Sequence, residues 1–552
     1  MMRFLSLSLF FVLATHLPAQ EFTGAIPMSL RYGLDPHAVP TLEASPFDAT
    51  AAAMDDAVRD AANKLPLYAR FVVAPADLDN AGVWTELPGG DRIWRLRVVS
   101  PGAHAMELFF SDVYLPPGSQ VHVYDDAREQ VIGGSTAAHV QADGSFTTDM
   151  VYGDACTVEY HEPAAVRGEG SLHLEKVAHA YRMVAQVKSG TCEVDVNCSE
   201  GANWVNERNA VVRIRVVIPS GAGFCTGTLV NNTASDCKGY ILTAFHCTEE
   251  SVTTNYPSYQ FRFQFQRTVC GTGSATGSGL TGCARRAGSQ DQGGALGSDY
   301  SLIELTSAIP GSYTPYWAGW DAETAAPVGG VSLHHPDSDV KKISTFTGTA
   351  SSATWGGTAN GSHWRVVWTA TANGHGVTEP GSSGSPIFNS AKKLVGTLTG
   401  GLSCCTTNAC GSGTSLTAPD YYGKMSYHWG ASNPNPTLEQ LHWWLAPVGT
   451  ATSQEGSVNP CEPIGIPELT LPSVEVFPNP TRESVTIRLP QQVSGSGSVV
   501  ISDVTGRVVH TERIGGTPVL DLDARAWRPG TYMITVIGGT TPVAAARIVV
   551  VD

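Results

Sequence analysis

Ten of the twelve cysteines fall between Cys192 and Cys410, and only Cys156 and Cys461 lie outside that stretch. Cysteines pair into disulfides in oxidising compartments, so the meaning of this cluster depends on whether the chain is exported. Residues 1–20 have the layout of a secretory signal: Arg3 at the positive end, FLSLSLFFVLA as the apolar run, and Ala19–Gln20 at the cleavage neighbourhood. That apolar run is shorter than the roughly 20 residues a membrane-spanning helix needs. The chain is therefore expected to be secreted or cell-surface, with no integral membrane segment after signal removal. Its middle is expected to be a disulfide-stapled domain, with different modules on either side.

Composition narrows the fold class. Charged residues make up 15% of the 552, where ordinary domains carry about 25%, and Gly (58) and Pro (34) are frequent. Long helices need more Lys and Glu than this, so a mainly β, multidomain chain is expected. The net charge of −16 excludes nucleic acid as a partner, because phosphate backbones demand basic stripes.

The segments divide accordingly. DDAVRDAANKL is the one helical candidate in residues 21–90. WRLRVVS, AMELFFSDVYL, QVHVYDD and SFTTDMVYG then alternate as strands of a small β-sandwich between SPG, PPGS and DGS turns. Short apolar strands with Gly/Ser/Thr-rich turns fill residues 189–450. They close on NPTLEQLHWWLAP, where Pro436 suits a first helical turn and Leu438, Leu441 and Leu445 share a face. A Pro-rich linker, 451–472, leads to six or seven strands over 473–552, another β-sandwich.

Three islands in the middle domain carry chemistry. His246 lies in TAFHC after an apolar strand, Asp299 heads the strand SDYSLIEL, and Ser383 stands in EPGSSGSPIF. Amide hydrolysis needs a nucleophile, a base to take its proton, and an acid to fix the tautomer of that base. It also needs donors for the developing oxyanion, and the backbone N–H groups of Gly381 and Ser383 can supply them. Each island alone has an ordinary structural explanation, as a disulfide neighbour, a strand cap or a flexible loop. Together they follow the order His, Asp, Ser, which is that of chymotrypsin and not of subtilisin or the α/β-hydrolases. His334 and His335, adjacent on a strand and so facing opposite ways, are read as structural and not as metal ligands. No cofactor is needed.

At these residues the sequence resembles the chymotrypsin-fold serine endopeptidases, and specifically the bacterial lysyl endopeptidases. The shared stretches are SGTCEVDVNC, CTGTLVNNTASD, LTAFHC, SDYSLIEL, YWAGWD, HHPDSDVKKIS, GVTEPGSSGSPIF and PDYYGKM. The resemblance implies a chymotrypsin-like double β-barrel, with His246 as general base, Asp299 as its orienting carboxylate and Ser383 as nucleophile. Trypsin places its specificity acid six positions before the nucleophile, where this chain has Val377. The lysyl endopeptidases use an acid in a motif similar to PDYYGKM, which implies Asp420 at the base of the pocket. A compact ammonium suits such a point contact better than a guanidinium, so Lys is expected over Arg. The substrates implied are proteins or peptides cut on the carboxyl side of Lys.

One position departs from the family. Trp355 keeps the Trp that flanks its active site, but the His expected to stack there is Thr399. Ser382 stands where trypsin-like enzymes carry the acid that receives their new N-terminal ammonium, so activation through that residue is excluded. The resemblance also implies disulfides Cys225–Cys247 and Cys198–Cys270, and one from Cys192 to Cys404 or Cys405. It assigns none to Cys237, Cys283 or Cys410. Residues 21–188 are read as a propeptide, with Lys188 as a self-cleavage site and Lys176 or Arg182 as alternatives. Finally, VEVFPNPTRESVTIRL, DVTGRVV and LDLDARAWRPGTYMITV resemble the sorting domain of the type IX secretion system, which implies that machinery as a partner. Two rival readings remain: the same protease with broader Lys/Arg preference, and a non-catalytic surface binding protein on a protease scaffold.

Overall fold

The computed structural model describes residues 26–35, 38–182, 189–289, 297–356, 359–406, 413–430, 439–461, 474–489, 497–538 and 541–552. The signal segment, Lys188, Cys410, Pro436 and Leu438 lie outside the described residues. The chain forms two compact units, one ending at Cys461 and one beginning at Glu462.

After the short helix Met28–Arg31 and the strand Thr41–Glu43, the helix expected around DDAVRDAANKL runs Ala49–Ala61, starting and ending earlier than that stretch, and Asp48 caps it by accepting the Ala51 N–H at 2.9 Å. Two sheets follow. One pairs strands Arg92–Val99, Ala155–Glu162, Gln120–Asp125 and Val131–Ser135. The other holds Leu67–Asp77, Ser171–Ala180 and Ala105–Tyr114, and a core including Trp94, Leu108, Phe110 and Val158 is buried between them. This is the expected sandwich, with one addition that sequence patterning could not show. Its second sheet continues into the middle domain: Leu67–Asp77 pairs antiparallel with Gly221–Leu229 through Arg70↔Gly221, Ala69↔Ala222 and Leu67↔Gly223.

The middle domain is built on two sheets, the pair expected of a chymotrypsin-like fold. The first runs from Gln260–Val269 through Val211–Ile218, Gly221–Leu229 and Tyr240–Thr243 to Ser301–Leu305 and Cys283–Gly288. The second orders Lys342–Thr349, Val328–His334, Pro386–Asn389, Leu394–Gly401, Asp420–Lys424 and His363–Val366. Every residue of Gly221–Leu229 is buried, since three strands pair with it, so its sequence, GAGFCTGTL, carries no charged side chain.

Disulfides join Cys225–Cys247, Cys198–Cys270 and Cys192–Cys405, as the resemblance implied. Cys404 is also disulfide-bonded. Cys237 pairs with Cys461. Together with Trp317↔Ser457 and Trp320↔Gln454, that bond keeps the chain on this unit past residue 450, where composition alone suggested linker. Of the terminal helix, His442–Leu445 is described, with Leu441 and Leu445 buried.

The second unit packs the sheet Glu475–Phe477, Ser484–Arg488, Val519–Asp523 against a sheet of Val508–Ile514, Gly497–Asp503, Gly530–Gly538 and Thr541–Val550.

The seam between the first two blocks is tight. A Cβ on Gly221 would stand 2.1 Å from the carbonyl oxygen of Ala69, a backbone atom that cannot turn away. Gly221→Ala should therefore cost about 1–3 kcal/mol of overpacking and lower the calorimetric unfolding midpoint of the full chain by a few degrees. Gly311→Ala, where a Cβ meets nothing within 4 Å, serves as the unperturbed control.

Candidate active site

His246 sits in the helical turn Phe245–Thr248, which leaves the strand Tyr240–Thr243 and is tied back to Gly221–Leu229 by Cys225–Cys247. Tyr240–Thr243 pairs with Ser301–Leu305, and Thr243↔Ser301 brings Asp299 beside the turn. Asp299 holds a left-handed backbone, φ +58°, a conformation that non-glycine residues keep only where their surroundings impose it. Its Oδ2 lies 2.8 Å from His246 Nδ1, and its Oδ1 accepts the His246 backbone N–H at 2.9 Å.

Asp299 has no solvent exposure. Burial by itself raises a carboxyl pKa, but the His246 charge, its two hydrogen bonds and one from Thr399 outweigh this and hold Asp299 below the usual range. For His246, burial works toward the neutral ring, and the Asp299 carboxylate overcomes it and raises the imidazole pKa. The two directions agree, as they must for a pair sharing one proton. Nδ1 thus carries the proton that faces Asp299, which leaves Nε2 as the basic nitrogen.

Ser383 lies on a turn that the same strand holds. Thr226 donates its N–H to the Ser383 carbonyl at 2.8 Å and its hydroxyl to the Gly381 carbonyl at 2.9 Å. Gly384 packs so closely on the lead into His246 that a Cβ there would lie 2.1 Å from Thr243 Oγ1 and 2.6 Å from the Ala244 N. Gly381 adopts φ +92°, which side chains rarely tolerate, and a Cβ on it would press on the His335 carbonyl at 2.9 Å. Ser383 is half-buried, while its neighbours Ser382 and Gly384 are buried. The three islands therefore converge on one place, around Thr226.

Asp420 is also wholly buried. Its Oδ2 accepts from Trp368 Nε1 at 2.6 Å, Thr378 Oγ1 at 2.8 Å and Ser403 Oγ at 2.6 Å, and Oδ1 accepts the Ser403 N–H at 3.1 Å. Burial still raises its pKa over these four bonds. Gly401 leaves the room Oδ1 occupies, because a Cβ there would stand 1.9 Å from it.

Sequence reasoning missed several supporting residues. Thr226, Trp368, Thr378 and Ser403 carry no spacing signal, since each acts across the sheet and not along the chain. His363 is another. From the strand beyond Asp420–Lys424 its Nε2 meets Thr399 Oγ1 at 3.0 Å, so a histidine stands behind the position where the family's histidine is absent. Trp355 lies against the same spot, 3.2 Å from where Gly400 would carry a Cβ. His334 hydrogen-bonds Ser382 Oγ at 2.8 Å and Ser344 Oγ at 3.0 Å, and His335 meets the Asp339 carbonyl at 3.0 Å.

Residues 187–423 match the family model described as lysyl endopeptidase, C-terminal domain. Over that stretch, under half of its length, the chain is similar to the lysyl endopeptidases. Residues 475–551 match a secretion system C-terminal sorting domain, so the protein is an exported protease, secreted or at the cell surface, with a type IX sorting signal. A lysyl endopeptidase of Pseudomonas aeruginosa is 28% identical over 346 residues, covering 58% of this chain and 71% of the relative. Among solved structures, the protease Anisep from Arthrobacter nicotinovorans shares 16% identity over 40% of this chain and 91% of its own, at a TM-score of 0.27. An inactive mutant of Rv3671c from M. tuberculosis H37Rv shares 13% over 44% and 93%, at 0.26.

The raised imidazole gives a direct test. The His246 ring should titrate above the ordinary value of about 6.5 when followed by imidazole NMR. In Asp299→Asn the carboxylate no longer opposes burial, and the titration should fall below that value. A ring that titrates alike in both proteins would mean the pair is not electrostatically coupled.

Proposed function

We propose that the chain is a secreted serine endopeptidase that cuts on the carboxyl side of Lys, with residues 21–188 as a propeptide. The observation that carries this reading is the buried Asp299–His246 pair, positioned by the same strand that holds the Ser383 turn. His246 Nε2 takes the Ser383 proton as Oγ attacks the carbonyl. Asp299 keeps the ring in its tautomer and stabilises the imidazolium that forms. The N–H groups of Gly381 and Ser383 receive the oxyanion. Collapse of the tetrahedral intermediate returns the proton to the leaving amine, and water then repeats the sequence on the acyl-enzyme.

The hydrogen bonds of Asp420 support Lys over Arg. Three donors already fill Oδ2, and Oδ1 has one, so a single oxygen retains acceptor capacity. An ammonium needs one such contact, whereas a guanidinium uses its fork on two oxygens.

The N-terminal block supports a masked precursor. Asn63 Nδ2 donates to the Thr399 carbonyl at 3.3 Å, where the strand Leu394–Gly401 shifts register and frees that oxygen from its ladder. An extended substrate beside Ser383 would meet the same edge. Arg59 and Lys64 anchor this loop to Glu250, four residues past His246.

Paired peptides differing only in Lys or Arg before the scissile bond test the reading on processed protein. Lys-selective turnover is expected, with Ser383→Ala losing more than about a thousandfold. Asp420→Asn should cost about 2–5 kcal/mol toward Lys, roughly 30- to several-thousand-fold in kcat/KM, and leave little preference between the two peptides. Equal cleavage by the parent would favour the broader Lys/Arg specificity. Folded, processed protein without Ser383-dependent turnover would favour the binding-protein reading.

A further inference from the structure

The turn that bears Gly381 and Ser383 begins at Glu379, and Glu379 lies in a pocket with more acid than base. Glu193, Asp337 and Asp339 share its electrostatic surroundings. Their nearest cation is Lys342, 3.5 Å from Asp339 Oδ2, but its stronger contact, at 2.6 Å, is with a further carboxylate, Asp195. The Glu193 side chain is 1% exposed, and against its burial stand the charge of Lys342 and a backbone hydrogen bond from Val377. Burial is the largest cause in each case, raising Glu193 and Glu379 and pushing Asp337 to about 7; repulsion from Glu379 comes next for Glu193 and Asp337, whereas at Glu379 the Gly190 N–H and Lys342 oppose the rise before Asp339 adds to it.

Two backbone nitrogens already enter this pocket. Ser189 places its N 3.3 Å and its Oγ 2.8 Å from Asp339 Oδ2, and Gly190 donates its N–H to Glu379 at 2.9 and 3.2 Å. The segment is fixed from behind by Cys192–Cys405, and it fits closely: a Cβ on Gly190 would stand 2.5 Å from Glu379 Oε1.

We propose that Asp339 and Glu379, backed by Glu193, form a seat for the α-ammonium that is released at Ser189 when the 188–189 peptide bond is cut. This rests on the reading of residues 21–188 as a propeptide that a Lys-specific protease removes. Hydrolysis adds one water, leaving a carboxylate on Lys188 and an ammonium on Ser189. The Ser189 nitrogen then meets Asp339 as a cation, and the pocket gains the charge it lacks. The effect reaches the active site through two short links. The Asp337 N–H donates to the Pro380 carbonyl at 2.6 Å, and the His335 carbonyl buttresses Gly381. Pinning Asp339 therefore steadies the turn that presents the oxyanion donors. Ser382, which has no charge to offer an ammonium, is bound instead by His334.

The test uses full chains in which residues 183–188 are replaced by the recognition sequence of an unrelated protease, so that processing leaves either Ser189 or an added Gly ahead of it as the first residue, and the cut N-terminal block is then digested or separated before turnover is measured. Mass spectrometry verifies each terminus and that of the naturally processed protein. The Ser189 form should exceed the Gly-extended form about tenfold or more in kcat/KM. Asp339→Asn should bring the Ser189 form down to the extended one and leave the extended form unchanged. Equal activity of the two forms would overturn the proposal, as would an equal loss from Asp339→Asn in both, which would mark a merely structural carboxylate. A natural terminus other than Ser189 would also overturn it, and restoration of the extended form by calcium would make the pocket a metal site instead. Ser383-dependent turnover in either form leaves the endopeptidase reading standing, so the two ideas fail separately.

Discussion

Four hydrogen bonds at Thr226 hold the site together. Its N–H and hydroxyl bind the carbonyls of Ser383 and Gly381, its hydroxyl also accepts the His335 N–H at 3.1 Å, and its carbonyl accepts from Thr243 Oγ1 at 2.8 Å. The residue is fully buried. Each of these groups would cost about 1–3 kcal/mol if left unpaired in the interior, so none can drift without the others. One strand position thus joins the turn bearing Gly381 and Ser383, the acid-rich segment after His335 and the lead into His246. The disulfide from Cys225, its neighbour, closes the same arrangement covalently.

Two buried carboxylates near that junction show how one residue type takes two roles. Asp299 is surrounded by donors that include an imidazole able to carry charge, and its pKa falls. Asp420 is surrounded by neutral donors alone, and its pKa rises. A carboxylate held by dipoles without a counter-ion is under-compensated and gains most from an arriving cation. On the proposed reading, that difference separates a group that positions a base from a group that selects a substrate.

The site was more legible in the sequence than its supports were. His246, Asp299 and Ser383 stand out because each sits in a local pattern, such as a His-Cys pair after an apolar strand or a Ser between glycines. The mainly β fold was legible because Gly, Thr and alternating apolar residues leave few other options. The disulfide Cys237–Cys461 was not, because the two residues are 224 positions apart and Cys461 lies within a Pro-rich stretch that reads as linker. The continuity of the N-terminal sheet with Gly221–Leu229 was equally hidden. An edge strand and a central strand differ in their partners, and partners across a domain boundary leave no period in the sequence.

That continuity constrains how the N-terminal block can be a separable module. Besides the strand pairing, Arg215 is 2% exposed and reaches Glu107 at 3.2 Å, Thr147 Oγ1 at 2.8 Å and the Thr148 carbonyl at 3.2 Å, all in the N-terminal block. Tyr68 stacks on Phe224 at 4.3 Å and donates to the same Glu107. Such contacts are those of a shared core, and a buried ion pair that loses one partner leaves a costly charge behind. Cutting the chain near Lys188 would therefore not by itself release residues 21–188, because the pairing with Gly221–Leu229 and the Arg215–Glu107 pair outlast the peptide bond. On the proposed reading of residues 21–188 as a propeptide, processing and unmasking are separate steps, the first a single hydrolysis and the second the dissociation or destruction of a folded block. A new ammonium at Ser189 would form at the first step, while Asn63 still lies on the Thr399 carbonyl, so the turn bearing Ser383 could be set before substrate gains access to it.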